Sequence, residues 1–342
     1  MNKRFTIHDL AGRANVSIAT ISRTINPETR NKVAPETLEK IDRLVWDCGY
    51  APSAGAKQIR KTNHQTLGVL FPHHEKLLTS DYYMQILAGV ADSLLHSDYI
   101  MKLIMVKPNQ RRWDRYDFKN AESVDGLILA YWRTFFSNKK IFKQLGVPCV
   151  VINNVEKDVL AHFSAGDHYE GGRIAALCLT ERGHRHIGVF GGIHGAPDAR
   201  VRLQGFRKGL EEQGLKWDPA KFVDVSFEEN RAYAATEPFL SANPKVTALF
   251  CMNDVQAYGV LRRLHELKIS CPNEISVMGY DDELHAQLTN PPLTTIRVPV
   301  YEIAKRGTER LLSFLTNKGK KTFYQPEYLS VQLVERKSVR IL

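Results

Sequence analysis

From Thr66 onward the chain repeats one pattern, a short apolar run followed by a stretch of helical periodicity. The runs are LGVLF, YIMKLIMV, DGLILA, PCVVIN, HIGVFGG, ALFCMND and EISVMGYDD. Uninterrupted apolar runs suit strands buried on both faces, and strands that alternate with helices suit βαβ units. The pattern therefore predicts parallel sheets covered by helices. The runs fall into two groups, before and after about residue 165, which favours two lobes over one large sheet. No short-period repeat or low-complexity tract interrupts them.

Residues 5 to 50 show only helical patterning in short pieces. Thr6 is placed to cap a first helix, with Asp9 at the third helical position in an Asp-bearing version of the capping box. Ser17 is a second N-cap, flanked by Val16 and Ile21 as a hydrophobic staple, and Gly12 to Asn15 hold the turn between the two helices. A third helix runs from about Pro35 to Cys48, with Leu38, Ile41, Leu44 and Val45 on one face and Gly49 as its C-cap. Three short helices, the first two closely joined, make a helix-turn-helix unit over residues 1–50. The small, polar and basic segment 51–65, APSAGAKQIRKTNHQ, reads as a linker to the remainder, 66–342.

Charge follows that division. Residues 1 to 65 hold eleven Lys/Arg against six acids, half of the chain's net +10 in about a fifth of its 342 residues. Such concentration is the footprint of a phosphate-binding module. No apolar stretch reaches the roughly eighteen residues of a membrane span, and the N-terminus lacks an apolar signal core, so a cytoplasmic protein with no membrane partner is expected. The five cysteines, Cys48, Cys149, Cys178, Cys251 and Cys271, are scattered and form no metal-ligand spacing. They read as buried small hydrophobes in a reducing compartment.

In SIATISRTIN, Ser17, Thr20 and Ser22 carry hydroxyls for phosphates, and Arg23 suits phosphate or guanine. Ile18 and Ala19 follow the cap and are suited to a thymine methyl. The alternative places them in a core stripe, a role that Ile21 and Ile25 already fill at i, i+4 spacing.

These residues, TIHDLAGRANVSIATISRTIN with VAPETLEKI and GYAPS, resemble the headpiece of the LacI/GalR family of bacterial repressors. DHYEGGRIAALCLTERGHRHIGVFGG, ARVRLQGFRKGLEEQGL, ALFCMNDVQAYGVLRRL, ISVMGYDDELHAQLTNPPLTTIRVP and LVERKS are similar to landmarks of its effector domain, so the resemblance spans nearly the whole chain. It implies an all-α helix-turn-helix headpiece and an α/β, two-lobed, periplasmic-binding-protein-like core of two doubly wound parallel sheets. The first lobe would take about 66–165 and 296–325, the second about 166–295 and 326–342. It also implies operator contacts by Thr6, Ser17, Ile18, Ala19, Thr20, Ser22, Arg23 and Asn26. Segment 51–65 becomes a hinge helix in which Ile59 takes the place of a leucine wedged into the minor groove, after Ala56 and Lys57. Gly55 and the isoleucine are departures from that pattern, as is the longer loop PETRNK that carries Arg30 and Lys32.

Ligands of two-lobed α/β folds bind where strand C-termini face one another. Asn253 lies at such a strand end. By the resemblance, Arg202 and Asp281 are the ligand-binding arginine and its facing carboxylate, a pair suited to the vicinal hydroxyls of a sugar. A plain ion pair between the two is the alternative. Tyr82 and Tyr83, Phe227 and Asp167 match pocket positions, and the aromatics suit a sugar face or a purine equally. Tyr131 and Trp132, at the end of DGLILA, fit the cleft or core packing alike, and Arg200 fits pocket or hinge.

The expected protein is a ligand-responsive repressor that binds a palindromic double-stranded DNA operator as a homodimer and senses a small molecule, a sugar or sugar derivative, or otherwise a purine or other metabolite. A sugar-binding protein without DNA function would lack the basic headpiece. An enzyme would need a catalytic constellation, and DDE at 281–283 has no nucleophile beside it. GGIHG lacks a full phosphate-loop motif, and the pairs His73/His74 and His184/His186 lack metal-ligand partners. No cofactor, metal or catalytic residue is expected.

Overall fold

The computed structural model describes residues 6–25, 29–47, 64–72, 80–106, 123–130, 147–155, 161–192, 196–316 and 326–342. The chain divides into two compact units, Met1–His64 and Gln65–Leu342.

The first unit contains helices α1 (Ile7–Ala14), α2 (Ile18–Ile25) and α3 (Pro35–Asp47). Both expected capping devices form. Asp9 N–H donates to Thr6 Oγ1 at 3.3 Å and Thr6 N–H to Asp9 Oδ2 at 2.8 Å, while Thr20 N–H donates to Ser17 Oγ at 3.1 Å. The turn rests on Asn15 rather than Gly12. Its φ of 53° is left-handed, a conformation that Asn tolerates better than most side chains. Leu10, Ile21 and Ile41 are fully buried, with Val16, Ile25 and Leu44 packed on them. Thr24, rather than Ile25, takes the deep position one turn from Ile21, and its hydroxyl is satisfied by the Thr20 carbonyl at 3.0 Å. Arg30, in the longer loop, pairs with Asp42 of α3. The C-cap Gly49, Asn26 and hinge residues 51–63, with Ala56, Lys57 and Ile59, lie outside the described residues.

The second unit is built on two parallel sheets. The first contains β1 (Thr66–Pro72), β2 (Ile100–Val106), β3 (Gly126–Leu129), β4 (Cys149–Ile152), β5 (His162–Gly166) and β11 (Pro326–Leu329), in the order β11-β5-β4-β3-β1-β2. Helices α4 (Asp81–Leu94) and α9 (Val300–Thr316) belong to it. The second contains β6 (Ile187–Gly191), β7 (Phe222–Asp224), β8 (Ala248–Cys251) and β9 (Ser276–Met278), in the order β7-β6-β8-β9. It carries α5 (His168–Glu181), α6 (Pro197–Glu212), α7 (Glu229–Ala242) and α8 (Asp254–Glu266). Every residue of β3, β4, β5, β6 and β8 is buried, as expected for strands covered on both faces. β10 (Thr295–Arg297) and β12 (Gln332–Val334) form a small antiparallel ribbon.

One boundary moves. The stretch 326–342, expected in the second lobe, begins in the first, because β11 pairs with β5 from Pro326↔Phe163 to Leu329↔Gly166. PEYL is mostly exposed at the sheet edge and has no apolar run, so the periodicity that marks the central strands is missing there.

Candidate DNA-reading face and ligand cleft

On α2, Ile18 is 40% exposed and Ala19 is exposed, whereas Ile21 and Thr24 are buried. The core-stripe alternative for Ile18 and Ala19 therefore fails. They stand on an outward face with Arg23. The hydroxyls of Ser17 and Thr20 lie 2.9 Å apart, so Ser17 first serves the helix end and only secondarily any phosphate.

In the second unit, helices α5 and α6 approach so closely that glycine is required at the crossing. A Cβ on Gly172 would collide with the Arg202 carbonyl, and one on Gly205 with that of Tyr169. This approach brings the start of α5 against Arg202. His168 is buried, its Nε2 3.0 Å from Asn153 Oδ1 and its Nδ1 3.0 Å from Tyr280 Oη. Arg202 Nη2 lies 3.2 Å from the same Nδ1. An arginine can only donate, so Nδ1 is the acceptor and the proton sits on Nε2, donated to Asn153. Burial, reinforced by the neighbouring guanidinium, holds the imidazole well below its ordinary pKa, and it is neutral.

Arg202 itself is 2% exposed. Its guanidinium lies over the Tyr280 ring, 3.6 Å from the centroid, and donates to the Met252 carbonyl and, at 3.5 Å, to Asp198 Oδ2. The arginine is thus a strut that ties α6 to the ends of β8 and β9. Among the described residues it makes no ion pair with Asp281, although the two interact electrostatically. Burial, with Asp198 adding and Arg202 opposing, pushes the Asp281 carboxyl up to about 7. Its backbone has a φ of 111°, and its side chain takes no hydrogen bond among the described residues. Next to it, Glu283 is 8% exposed and pushed up to about 8 by burial, then by Asp281 and Asp81. Asp254 is fully buried beneath them and accepts from Thr295 Oγ1 at 2.6 Å and Glu283 N at 2.8 Å.

Two expected pocket residues have structural duties. Asp167 caps α5 through Glu170 N–H at 2.9 Å, and Asn253 forms a capping box with Gln256 at the start of α8. Tyr82 and Tyr83, half-buried on α4, meet edge to face at 5.2 Å. Asn153 donates to Tyr82 Oη at 3.4 Å, and burial raises the Tyr82 hydroxyl far above its usual range. Phe227 has a φ of 60° and lies where Gly192 leaves room for its ring. Arg200 is exposed. Tyr131 and Trp132 lie outside the described residues.

The cleft also holds Glu283, weighed in the sequence only as part of DDE, and residues that sequence reasoning passed over: Asp81, Asn153, His168, Asp198 and Tyr280. Four of them adjoin or sit one turn from a flagged position, Asp198 at i−4 from Arg202 among them, and proximity in the chain was the available signal. Asp81 bridges the lobes, accepting Leu284 N–H at 3.0 Å. Cys149, Cys178 and Cys251 are buried free thiols, and no cluster of three or more His, Cys, Asp or Glu suited to a metal occurs among the described residues. No helix among the described residues is long and apolar enough to cross a membrane.

A helix-turn-helix unit and a two-lobed α/β unit with a polar cleft, in one chain, define a DNA-binding transcription regulator. Residues 6–53 match the model of bacterial regulatory proteins of the lacI family, and 176–339 that of the periplasmic binding protein-like domain. The HTH-type transcriptional repressor PurR of Salmonella arizonae is 32% identical over 339 residues, 98% of this chain and 96% of that protein. PurR of Vibrio atlanticus is 30% identical over 340 residues, 98% and 99% of the two chains. Among solved structures, a Lac repressor bound to ONPG in the repressed state superposes with a TM-score of 0.80 at 25% identity over 98% of this chain and 100% of that one. A CelR-cellobiose complex does so at 0.72 and 25%, again over 98% and 100%. The chain belongs to the lacI family of bacterial regulatory proteins. Its relatives are transcriptional repressors, and on that ground it is a regulator and not an enzyme.

Proposed function

We propose that this protein is a homodimeric repressor that reads a palindromic operator with the outward face of α2 and the hinge at 51–65, and senses a sugar or sugar derivative between its lobes. The observation that carries the reading of the cleft is Asp281, whose carboxyl stands half-buried beside the fixed Arg202 strut without a hydrogen-bond partner among the described residues. A group so placed is available for ligand hydroxyls at little reorganisation cost. The aromatic pair Tyr82 and Tyr83, with Phe227, supports a planar purine as the second reading.

Dimerisation is supported by the edge of the first sheet. β2 ends it, and Ile100, Leu103 and Met105 are 65%, 44% and 46% exposed there. An apolar edge strand of this kind needs a cover. Ligand closure of the lobes would move the two copies' first lobes relative to one another and shift operator affinity.

The test is salt-dependent binding to promoter fragments with and without candidate sugars and purines. Operator affinity is expected to fall about a thousandfold or more between roughly 50 and 200 mM salt, with an effector moving it at fixed salt. Absence of specific DNA binding under every ligand condition rejects the proposal.

A further inference from the structure

The charge of the cleft constrains what enters it. α4 contributes Asp81, Tyr82 and Tyr83, α5 contributes the neutral His168, and α6 contributes Asp198 and Arg202. The start of α8 brings Asp254 and Tyr258, and the segment after β9 brings Tyr280, Asp281 and Glu283. Asp254 is accounted for by its two hydrogen bonds, and Asp81 by Leu284 N–H and Gln85. That leaves Asp198 and Asp281 beside one buried guanidinium, with Glu283 next to Asp281, among the described residues. Among the described residues, Arg297 and Arg336 are occupied, since both grip Asp282, at 2.7 and 2.6 Å. Arg200, on α6, is turned to solvent.

Two further observations concern unmet polar groups. Glu283 is 8% exposed as a residue and its carboxyl accepts no hydrogen bond among the described residues, while it feels Asp281 and Asp81. The Tyr258 hydroxyl is buried without a partner and feels the same carboxylates. Buried polar groups are ordinarily paired, and carboxyls crowded in this way repel one another and shed charge by taking up protons. An anionic ligand would add to that repulsion, a neutral one would leave it standing, and a cation would relieve it.

We propose that the effector is a small hydroxylated cation, with an aminated sugar as its simplest form, whose protonated nitrogen is taken up by Asp198 and Asp281 with Glu283 behind them. This rests on the cleft being the sensing site. Tyr82, Tyr83 and Phe227 supply the apolar faces for the remainder of the molecule, and Arg202 serves as the fixed wall against which the carboxylates are set.

The full-length chain is tested by thermal shift and calorimetry against matched sets: glucosamine, galactosamine and cationic nucleosides, their neutral counterparts, and the corresponding phosphate esters. The expected result is binding by a member of the aminated set at least about tenfold tighter than by its neutral counterpart. Its affinity should rise several-fold from about pH 5.5 to about pH 7 as Asp281 ionises. Asp198→Asn and Asp281→Asn, each shown to be folded by circular dichroism, should each lower it about tenfold. Hits confined to neutral or phosphorylated molecules, no hit at all, a flat pH profile, or unchanged affinity in both variants overturns the proposal. Operator binding separates the two claims. A bound amine that leaves operator affinity unmoved defeats the sensing role alone, and a neutral effector that moves it defeats the charge assignment alone.

Discussion

At the scale of single residues, the same side-chain type does different work according to what surrounds it. Arg202 and Asp281 look like a matched pair in the sequence, but one is a buried strut and the other an unpartnered acceptor. Arg202→Ala would strip the Met252 carbonyl and Asp198 of their donor and leave a void against Tyr280. It should cost about 3 kcal/mol or more of stability, whereas Asp281→Asn removes a carboxyl whose ionised form burial disfavours and should not lower the melting temperature; equal melting curves for the two variants would contradict this. Glu283 gives a pH-dependent test. Its pKa is raised from 4.5 to about 8, so the folded chain holds a proton that the unfolded chain releases. That contribution is complete below about pH 4.5 and is lost as pH rises through about 8. Glu283→Gln should therefore stabilise the protein at about pH 8.5 by about 1 kcal/mol or more and change little at about pH 5. A stability gain independent of pH would refute the assignment. In the headpiece, Ser17→Ala removes the cap of α2 and should cost about 1 kcal/mol, weakening operator binding through the helix end.

At the scale of elements, the cleft depends on how closely α5 and α6 approach. Gly172 and Gly205 permit that approach, and it is what lets His168 reach Arg202 at 3.2 Å. A Cβ at Gly205 would meet the Tyr169 carbonyl, a backbone atom that cannot swing aside. Gly205→Ala should thus cost about 3 kcal/mol and lose effector binding with it. Thermal melting decides the first point, and a wild-type transition would show that the helices part without cost. α2 works differently, since Ile21 and Thr24 are buried, Ile25 packs partly beside them, and Ile18, Ala19 and Arg23 are left exposed for contact.

At the scale of the whole molecule, the proposed repression needs two copies. The apolar edge of β2 predicts that Leu103→Glu, at a position 44% exposed in the single chain, leaves the fold intact and shifts the protein toward monomer. Sedimentation velocity reads the first effect. Loss of operator affinity should follow, because one headpiece covers one half-site; a variant that stays dimeric moves the interface elsewhere.

The sequence by itself determined the class of fold and the position of the helix proposed to read DNA. Apolar runs mark strands because burial on both faces leaves no room for polar residues, and caps such as Thr6 and Ser17 mark helix starts because the donors they satisfy are only two or three residues away. The family motifs also led directly to Arg202 and Asp281. Tertiary structure decided what was not local. β11 lacks an apolar run and was assigned to its sheet only by pairing with β5. Asn253 and Asp167 turned out to be helix caps, since a capping side chain and a ligand-binding one are the same residue type at the same strand end. Asn153, His168 and Tyr280 are separated by up to 112 positions, and no periodicity records their meeting. The electrostatic character of the cleft, with Asp198 of one element and Asp281 of another set beside Arg202, exists only once the chain is folded.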